Sequence, residues 1–282
     1  MTIEKIFIPT VKRINQQVTY NNLPDSLKKK VVMVVQEWER PQYDYPVEYL
    51  VLPSDIHYKD RDAIGRTRYH IFHAGKNMKY AMLDDDILFA RRNAKYWGEE
   101  SNMEKSKQLA SEEDILEMFD LYDQWLDEKT VCACSFAENP PNGKLYQDNT
   151  SISSAWWLNG NHFKDDLDNI DFPDLGVAED AYFILQLLSK GYSNRVSQEF
   201  VFLNESVRKA NHGSPLWDNR DFDCVHEDRK YIQRMLPDVF KILYDEHGNR
   251  VPGGFRNYGK VKISWSKAYK SRLNNDLGDF YE

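Results

Sequence analysis

The chain has 282 residues, of which 41% are hydrophobic and 13% aromatic, with a formal net charge of −8. This composition predicts a globular protein of one or two domains and excludes a disordered one. The negative charge argues against a protein that coats nucleic acid nonspecifically. No apolar run is long enough for a membrane span or a signal peptide, so we expect a cytoplasmic protein without membrane contact.

Strands and helices alternate along the first part of the chain. Runs of apolar and β-branched residues predict four strands, at 5–10, 30–37, 49–53 and 80–84. A short crossover helix is predicted to begin near Leu23, and a longer helix is predicted over 65–75. This alternation predicts an α/β fold in which helices flank a mostly parallel central sheet.

The second part continues the α/β pattern after a polar excursion over 93–107. Further strands are predicted at 130–136, 151–158 and 198–203, and further helices at 112–129, 179–190 and 237–244. Ser111 is the expected N-cap of the helix at 112–129. We predict one compact domain over 1–249, followed by a basic, aromatic extension over 250–282.

Three consecutive carboxylates, Asp84, Asp85 and Asp86, follow the predicted strand at 80–84. Such a run is costly to bury unless a cation is bound there. Alternation along an extended chain predicts that Asp84 and Asp86 face one side and Asp85 the other. Oxygen ligands on one side suit Mg²⁺ or Mn²⁺, which also bind substrate phosphates. The alternative is a solvated acidic loop without a ligand.

Further polar side chains stand where predicted strands end, which is where open α/β sheets bind ligands. Arg66 and Arg68 open the predicted helix before the acidic run, and guanidinium groups near a helix N-terminus suit a diphosphate. Surface solvation is the alternative for these two arginines. The remaining candidates, at the ends of the first two strands, are Pro9, Thr10, Arg13 and Glu37.

A second acidic pair, Glu179 and Asp180, opens a predicted helix. One carboxylate can cap this helix, so we expect the other, Asp180, to act as a general base on an acceptor hydroxyl. His212, in a polar loop, is a candidate to complete the coordination of the metal, although a lone loop histidine is more often simply exposed.

Two further segments are candidates for binding an acceptor. Trp156, Trp157 and Asn159 combine aromatic faces with an amide, which suits a sugar or a base but also suits a protein core. The segment from Arg250 to Arg272 has seven Lys or Arg residues, among them Arg256 and Lys260, no acid, and interleaved aromatic residues. It can contact phosphates and stack on bases, or it can be a solvated basic tail.

These motifs resemble, in their order, glycosyltransferases of family 2 type with the GT-A fold. Over residues 3–272 the chain is more similar still to the TET-associated glycosyltransferases of bacteriophages. The similarity rests on Ile-Phe-Ile-Pro-Thr at 6–10, Val-Val-Gln-Glu at 34–37, Ile-Gly-Arg-Thr-Arg at 64–68, Met-Leu-Asp-Asp-Asp at 82–86 and Arg-Asn-Tyr-Gly-Lys at 256–260.

The resemblance implies a GT-A domain in which the triple acidic motif holds a divalent ion on a nucleotide-sugar diphosphate. It implies that the later acidic pair supplies the base, and that the acceptor is a 5-hydroxymethylpyrimidine in phage DNA. With a UDP-sugar as donor, Asp84, Asp86 and His212 are the expected metal ligands. The donor is expected to contact Pro9, Thr10, Arg13, Glu37, Arg66, Arg68 and Asp85. The acceptor is expected to contact Trp156, Trp157, Asn159, Glu179, Arg256 and Lys260.

Three other functions stay open at this point. A glycosyltransferase of the same fold can act on a glycan, a protein or a free nucleotide, and the overall acidity favours this slightly. A nucleotidyltransferase on a related α/β scaffold would release pyrophosphate instead of a nucleoside diphosphate. The third possibility is a noncatalytic DNA-binding module, although such a module would not need three adjacent carboxylates.

Overall fold

The structure is a computed structural model that describes residues 2–93, 107–139, 143–171, 175–204, 222–252 and 259–278. Its strands are β1 (Lys5–Pro9), β2 (Val31–Val35), β3 (Glu48–Val51), β4 (Lys79–Leu83), β5 (Ile87–Arg92), β6 (Lys107–Leu109), β7 (Val131–Phe136), β8 (Tyr146–Asp148), β9 (Ala155–Asn159), β10 (Asn194–Asn204), β11 (Phe240–Ile242) and β12 (Val261–Ile263). Its helices are α1 (Val18–Asn22), α2 (Asp25–Lys28), α3 (Ala63–Gly75), α4 (Glu112–Trp125), α5 (Gly160–Phe163), α6 (Glu179–Ser189), α7 (Phe222–Met235) and α8 (Trp265–Gly278).

A central sheet runs in the order β3-β2-β1-β4-β9-β7-β10-β5-β6, with β8 paired to β10. The four strands from β3 to β4 are parallel to one another. Strand β9 lies antiparallel between β4 and β7, and β10 runs parallel to β7. The predicted α/β class with helices flanking a central sheet is confirmed, and its parallel half brings the ends of β1, β2 and β4 to one edge.

Side chains alternate between two hydrophobic layers, one on each face of the sheet. On β1, Phe7 joins the layer that contains α3 and α6, whereas Ile6 and Ile8 join the layer that contains α4. The adjacent residues Trp156 and Trp157 divide between the layers in the same way. This period of two residues is the reason that uninterrupted apolar runs formed buried strands.

Helix α4 begins as the sequence predicts. The Ser111 hydroxyl accepts a hydrogen bond from the Asp114 amide, and the Asp114 carboxylate accepts one from the Ser111 amide. This reciprocal pair satisfies two backbone donors that the first helical turn leaves free.

The helix predicted at 237–244 is wrong, because residues 240–242 form β11 and pair with β12. Phe240 and Ile242 are buried and Lys241 is exposed, which is the alternation of a strand. Among the described residues no helix is long and apolar enough to cross a membrane.

The described part of the predicted C-terminal extension packs on the rest of the domain. Ala268 of α8 is buried, and Trp265 and Tyr269 pack against the hydrophobic layer that contains α3 and α6. These two aromatic residues are therefore partly covered by packing, and their stacking on bases stays a prediction.

Candidate active site

The acidic run forms a turn between β4 and β5 that α1 holds in place. The Thr19 amide donates to the Asp85 carbonyl at 3.1 Å, and the Thr19 hydroxyl donates to the Asp84 carbonyl at 2.5 Å. The same hydroxyl accepts from the Ile87 amide at 3.0 Å. Because β4 ends at Leu83, the three acidic residues lie in a turn and not in an extended strand.

Asp85 and Asp86 share one cation, Arg13. The Arg13 Nη1 lies 2.6 Å from Asp85 Oδ1 and 2.9 Å from Asp86 Oδ2, and about a tenth of each of the three side chains is exposed. The Thr10 hydroxyl donates to Asp85 Oδ2 at 2.6 Å. Burial raises the pKa of Asp85 to about 7, although Arg13 opposes this shift. The predicted separation of Asp85 from Asp86 is therefore wrong, because the turn removes the alternation of a strand.

Asp84 faces a different arginine and is the most accessible of the three acids. Its side chain is 33% exposed, and its Oδ1 lies 3.9 Å from Arg68 Nη2. Burial raises the pKa of Asp84 to about 6, and the nearby Asp86 carboxylate adds to this shift. The Asp84 amide donates to the Ser154 carbonyl at 2.9 Å, just before β9, which fixes the start of the turn.

Arg68 connects the acidic turn to the second acidic pair at the start of α6. Its Nη1 lies 2.7 Å from Glu179 Oε1, and its guanidinium group lies 5.0 Å from the Trp156 ring. Burial raises the pKa of Asp180 to about 6, the Glu179 charge adds to the shift, and Arg68 opposes it. Contacts between residues far apart in sequence thus bring the two acidic motifs together.

We call this group the acidic cluster: Asp84, Asp85, Asp86, Glu179 and Asp180, with Arg13 and Arg68. Five carboxylates meet two guanidinium groups, so an excess of negative charge lies in a largely desolvated site. This excess fits a divalent cation. In the described part of the chain, no group of three or more His, Cys, Asp or Glu side chains is arranged to hold a metal ion. His212 lies outside the described residues.

A buried carboxylate that the sequence did not single out, Asp228 of α7, supports the loop before α6. Its Oδ2 accepts hydrogen bonds from the Gly176 and Val177 amides at 2.9 and 3.0 Å. Its other oxygen pairs with Arg61, just before α3. Asp228 therefore ties together the starts of the two helices that carry Arg68 and Asp180. The sequence does not predict this role, because two of the partners are backbone amides, which every residue type except proline can supply.

The ends of β1 and β2 form a second buried polar region beside the acidic cluster. β1 ends at Pro9, as predicted, and Thr10 follows it. Gln17 Nε2 donates to the Thr10 hydroxyl at 2.8 Å. Glu37 is exposed, and it is Glu39 that is buried, with its Oε1 accepting from the Lys12 amide at 2.6 Å. Within the part of the chain that the structure describes, Gln17 Oε1 and Glu39 Oε2 are buried without a hydrogen-bond partner.

Arg66 and Arg68 do not act as a pair. Two residues along a helix differ by about 200° in direction, so the side chains leave opposite sides of α3. Arg66 donates to the Asp55 carbonyl at 2.7 Å and also pairs with the Asp55 carboxylate. It lines a separate cleft of about 850 Å³ between α3 and the segment at 168–171.

The predicted acceptor residues are dispersed. Trp156 and Trp157 are fully buried in the two hydrophobic layers, so neither ring is available to an acceptor. Asn159 stands at the far end of β9, opposite Lys79, where its side chain donates to the Leu126 carbonyl at 2.9 Å. Glu179 is bound to Arg68, Lys260 is exposed beside β12, and Arg256 lies outside the described residues.

Comparison with known proteins identifies one family. The family model described as TET-Associated Glycosyltransferase matches residues 4–213. Among solved structures, a UTP-bound UGPase from Acinetobacter baumannii is similar to 83% of this chain and 99% of its own, with 11% sequence identity and a TM-score of 0.39. That degree of structural similarity carries no argument about this site. No curated protein matches the chain significantly.

Proposed function

The chain belongs to the TET-associated glycosyltransferase family, and from this premise we propose that it transfers a sugar from a UDP-sugar to a 5-hydroxymethylpyrimidine base in DNA, with a divalent metal ion. The observation that carries the proposal is the acidic cluster, in which five carboxylates and two arginines meet where β4 ends and α6 begins. A nucleotide-sugar diphosphate with its metal ion supplies both kinds of charge that this cluster requires.

Asp84 and Asp86 are the residues that would hold Mn²⁺ or Mg²⁺. Such ions commonly use one or two protein carboxylates and take their remaining ligands from water and substrate phosphates. The protein would then supply only these two carboxylates as ligands. The bound ion would neutralise the charge that develops on the departing diphosphate.

Arg68 is the best placed cation for the diphosphate. Only 11% of its side chain is exposed, and it lies between Glu179 and Asp84. A guanidinium group held by carboxylates is oriented before the substrate arrives, so little reorganisation is needed when negative charge develops. The ion pair with Glu179 therefore supports a positioning role for Glu179, in place of the acceptor role expected from the sequence.

The polar region at the ends of β1 and β2 is proposed to bind the nucleoside of the donor. Thr10 and Arg13 both bond to Asp85 there, so this region lies directly beside the acidic cluster. A nucleoside bound at this position would be next to the diphosphate that Arg68 is proposed to hold.

Asp180 is proposed as the general base. Its pKa of about 6 leaves the carboxylate ionised at neutral pH, yet more basic than an ordinary aspartate. It takes the proton of the acceptor hydroxymethyl group as that oxygen bonds to the anomeric carbon. The bond from the anomeric carbon to the diphosphate breaks, its electron pair leaves with UDP, and this direct displacement inverts the anomeric centre.

One assay tests the proposal. The protein is incubated with a panel of UDP-sugars, Mn²⁺ and DNA that contains hydroxymethylpyrimidines, and the digested nucleosides are weighed by mass spectrometry. We expect one glycosyl group on the hydroxymethylated nucleoside and an equal amount of released UDP. The same DNA without hydroxymethyl groups is the control. Transfer to free nucleotides alone, or release of pyrophosphate, would contradict the proposal.

A further inference from the structure

The loop that leads into α6 is held by a buried carboxylate of α7. The Asp228 side chain is 0% exposed, and its Oδ2 accepts hydrogen bonds from the Gly176 and Val177 amides at 2.9 and 3.0 Å. A hydrogen bond that ends on a carboxylate is roughly twice as strong as one between neutral groups. Two such bonds therefore fix the backbone just before Asp180.

Close packing adds to this restraint. A Cβ atom at Gly176 would lie 3.0 Å from Arg61 Cγ and 3.2 Å from Cys224 Sγ of α7. Distances this short leave little room for a side chain, so the loop lies directly against the helix. Arg61 is itself paired with the other oxygen of Asp228. The loop, Arg61 and α7 therefore form one packed unit.

A residue in a strained conformation lies between this loop and the acidic pair of α6. Ala178, the N-cap of α6, has a φ of 60° and a ψ of 20°, which is the left-handed region that residues with a Cβ atom seldom adopt. Its carbonyl accepts a hydrogen bond from the Tyr182 amide at 2.9 Å. A strained residue persists where its surroundings fix it, and here the restraints lie on both sides of the residue.

Left-handed residues are concentrated around the acidic cluster. Among the described residues, the non-glycine residues with positive φ are Lys12, Asn149, Ser154 and Ala178, all between 53° and 60°. Three of these four stand next to Arg13, Asp84 or the pair at the start of α6. Strained backbone of this kind gathers at active sites, where it directs a side chain.

We propose that Asp228 and Ala178 are positioning residues, in that Asp228 anchors the loop and the left-handed turn at Ala178 directs Asp180 toward the acceptor hydroxyl. This inference rests on the proposed function, because it requires Asp180 as the base. Asp180 Oδ1 accepts from the Ala181 amide at 2.6 Å, so its carboxylate follows the direction of the first helical turn. A misplacement of about 1 Å can slow a reaction about 100-fold, so a small change in direction is measurable.

Two variants with opposite effects on the melting temperature separate positioning from stability. Asp228→Ala removes the acceptor of both amides, so it should lower the melting temperature and should lower kcat about 30-fold. Ala178→Gly relieves the strain but allows the turn other conformations. It should raise the melting temperature by about 2 °C and still lower kcat about fivefold. In both variants KM for the UDP-sugar should stay within about twofold, because neither residue is assigned to the donor.

Two further variants are controls. Asp228→Asn keeps an oxygen for the two amides, which share a single oxygen of the wild type, so it should recover most of the kcat that Asp228→Ala loses. Asn149→Gly replaces the left-handed residue that bonds to Asn194 at the start of β10, at the edge of the sheet opposite the acidic cluster. It should leave kcat unchanged.

Hydrogen exchange gives a readout that does not depend on catalysis. Asp228→Ala should speed exchange of the Gly176 and Val177 amides, which lose their acceptor, and of the Tyr182 amide. A wild-type kcat in Asp228→Ala or in Ala178→Gly would overturn the inference, as would equal losses in Asn149→Gly and Ala178→Gly. If Asp228→Ala does not fold, Ala178→Gly still decides the question. Failure of the wild type to transfer sugar would instead contradict the proposed function, and exchange would still show whether Asp228 anchors the loop.

Discussion

The acidic cluster and the ion pairs of Arg91 show two ways in which this chain combines carboxylates with arginine. Arg91 pairs with Asp114, Glu117 and Glu199, and its side chain is 29% exposed. In the acidic cluster five carboxylates accompany two arginines, and only about a tenth of the Arg13 and Arg68 side chains is exposed. Water screens the surplus charge around Arg91 but reaches the cluster less. A desolvated surplus of charge lowers stability and is kept where a ligand brings the missing charge.

The net charge of −8 says little about where the chain binds a charged ligand. What matters is whether a charge is buried or solvated, and the two regions differ in this respect. Changes within the acidic cluster should impair sugar transfer or metal binding, whereas matched changes of solvated charges should not. Three variants test this difference.

The largest expected effect is that of Asp180→Asn. An amide cannot take the proton of the acceptor hydroxyl, so sugar transfer to hydroxymethylated DNA should fall about 1000-fold. Oligonucleotide affinity should be unchanged, because the amide has nearly the same shape as the carboxylate that it replaces. The measurements are initial rates and anisotropy titrations, with Asp165→Asn, an exposed carboxylate, as the control. A variant that keeps a tenth of the wild-type rate would remove Asp180 from its role.

A smaller effect, about 100-fold, is expected for Arg68→Gln, which removes the cation proposed for the diphosphate. Arg66→Gln is the matched control on the same helix, because Arg66 turns away and binds Asp55. Its rate should stay within about twofold of wild type, as is usual for a surface substitution. The rates are measured at saturating DNA over a range of donor concentrations. Equal losses in both variants would restore the paired role that the sequence suggests.

The smallest expected effect is on thermal stability. Because burial raises the pKa of Asp84 to about 6, its ionised form destabilises the folded protein above that pH. Asp84→Asn should therefore raise the melting temperature at pH 8 by about 3 °C. The difference should shrink as the pH falls from 6 to 4, because the wild-type carboxyl then takes up a proton.

Mn²⁺ with UDP gives a second readout of the same variant. The ligands should stabilise the wild type by binding the folded state and should stabilise Asp84→Asn much less. Asp25→Asn, an exposed side chain on α2, is the control for the loss of one negative charge. Equal stabilisation of all three proteins would show that the ion does not bind at Asp84.

Local patterns predicted the features that depend on neighbouring residues. The β-branched run around Met33 formed a buried strand, and Ser111 with Asp114 formed the predicted cap. The helix predicted at 237–244 was wrong for two reasons. Over so short a segment the spacing of apolar residues fits both a helix and a strand. The strand that pairs with it, β12, lies about twenty residues further along the chain. The sequence could not predict the burial of Trp156 and Trp157, because an aromatic residue in a strand can line a binding site or fill the core. Tertiary packing decides between the two.

By itself the sequence determined the α/β class, the family and the two acidic motifs, since each of these is written in residue types at short spacing. Only the tertiary structure decided that Asp86 shares Arg13 with Asp85, that Arg68 and not Arg66 reaches Glu179, and that Glu39 and Asp228 are buried. The physical reason is that these contacts join residues that are distant in the chain, through a turn, a helix face and backbone amides. Their directions are set by packing and leave no pattern in the order of the residues.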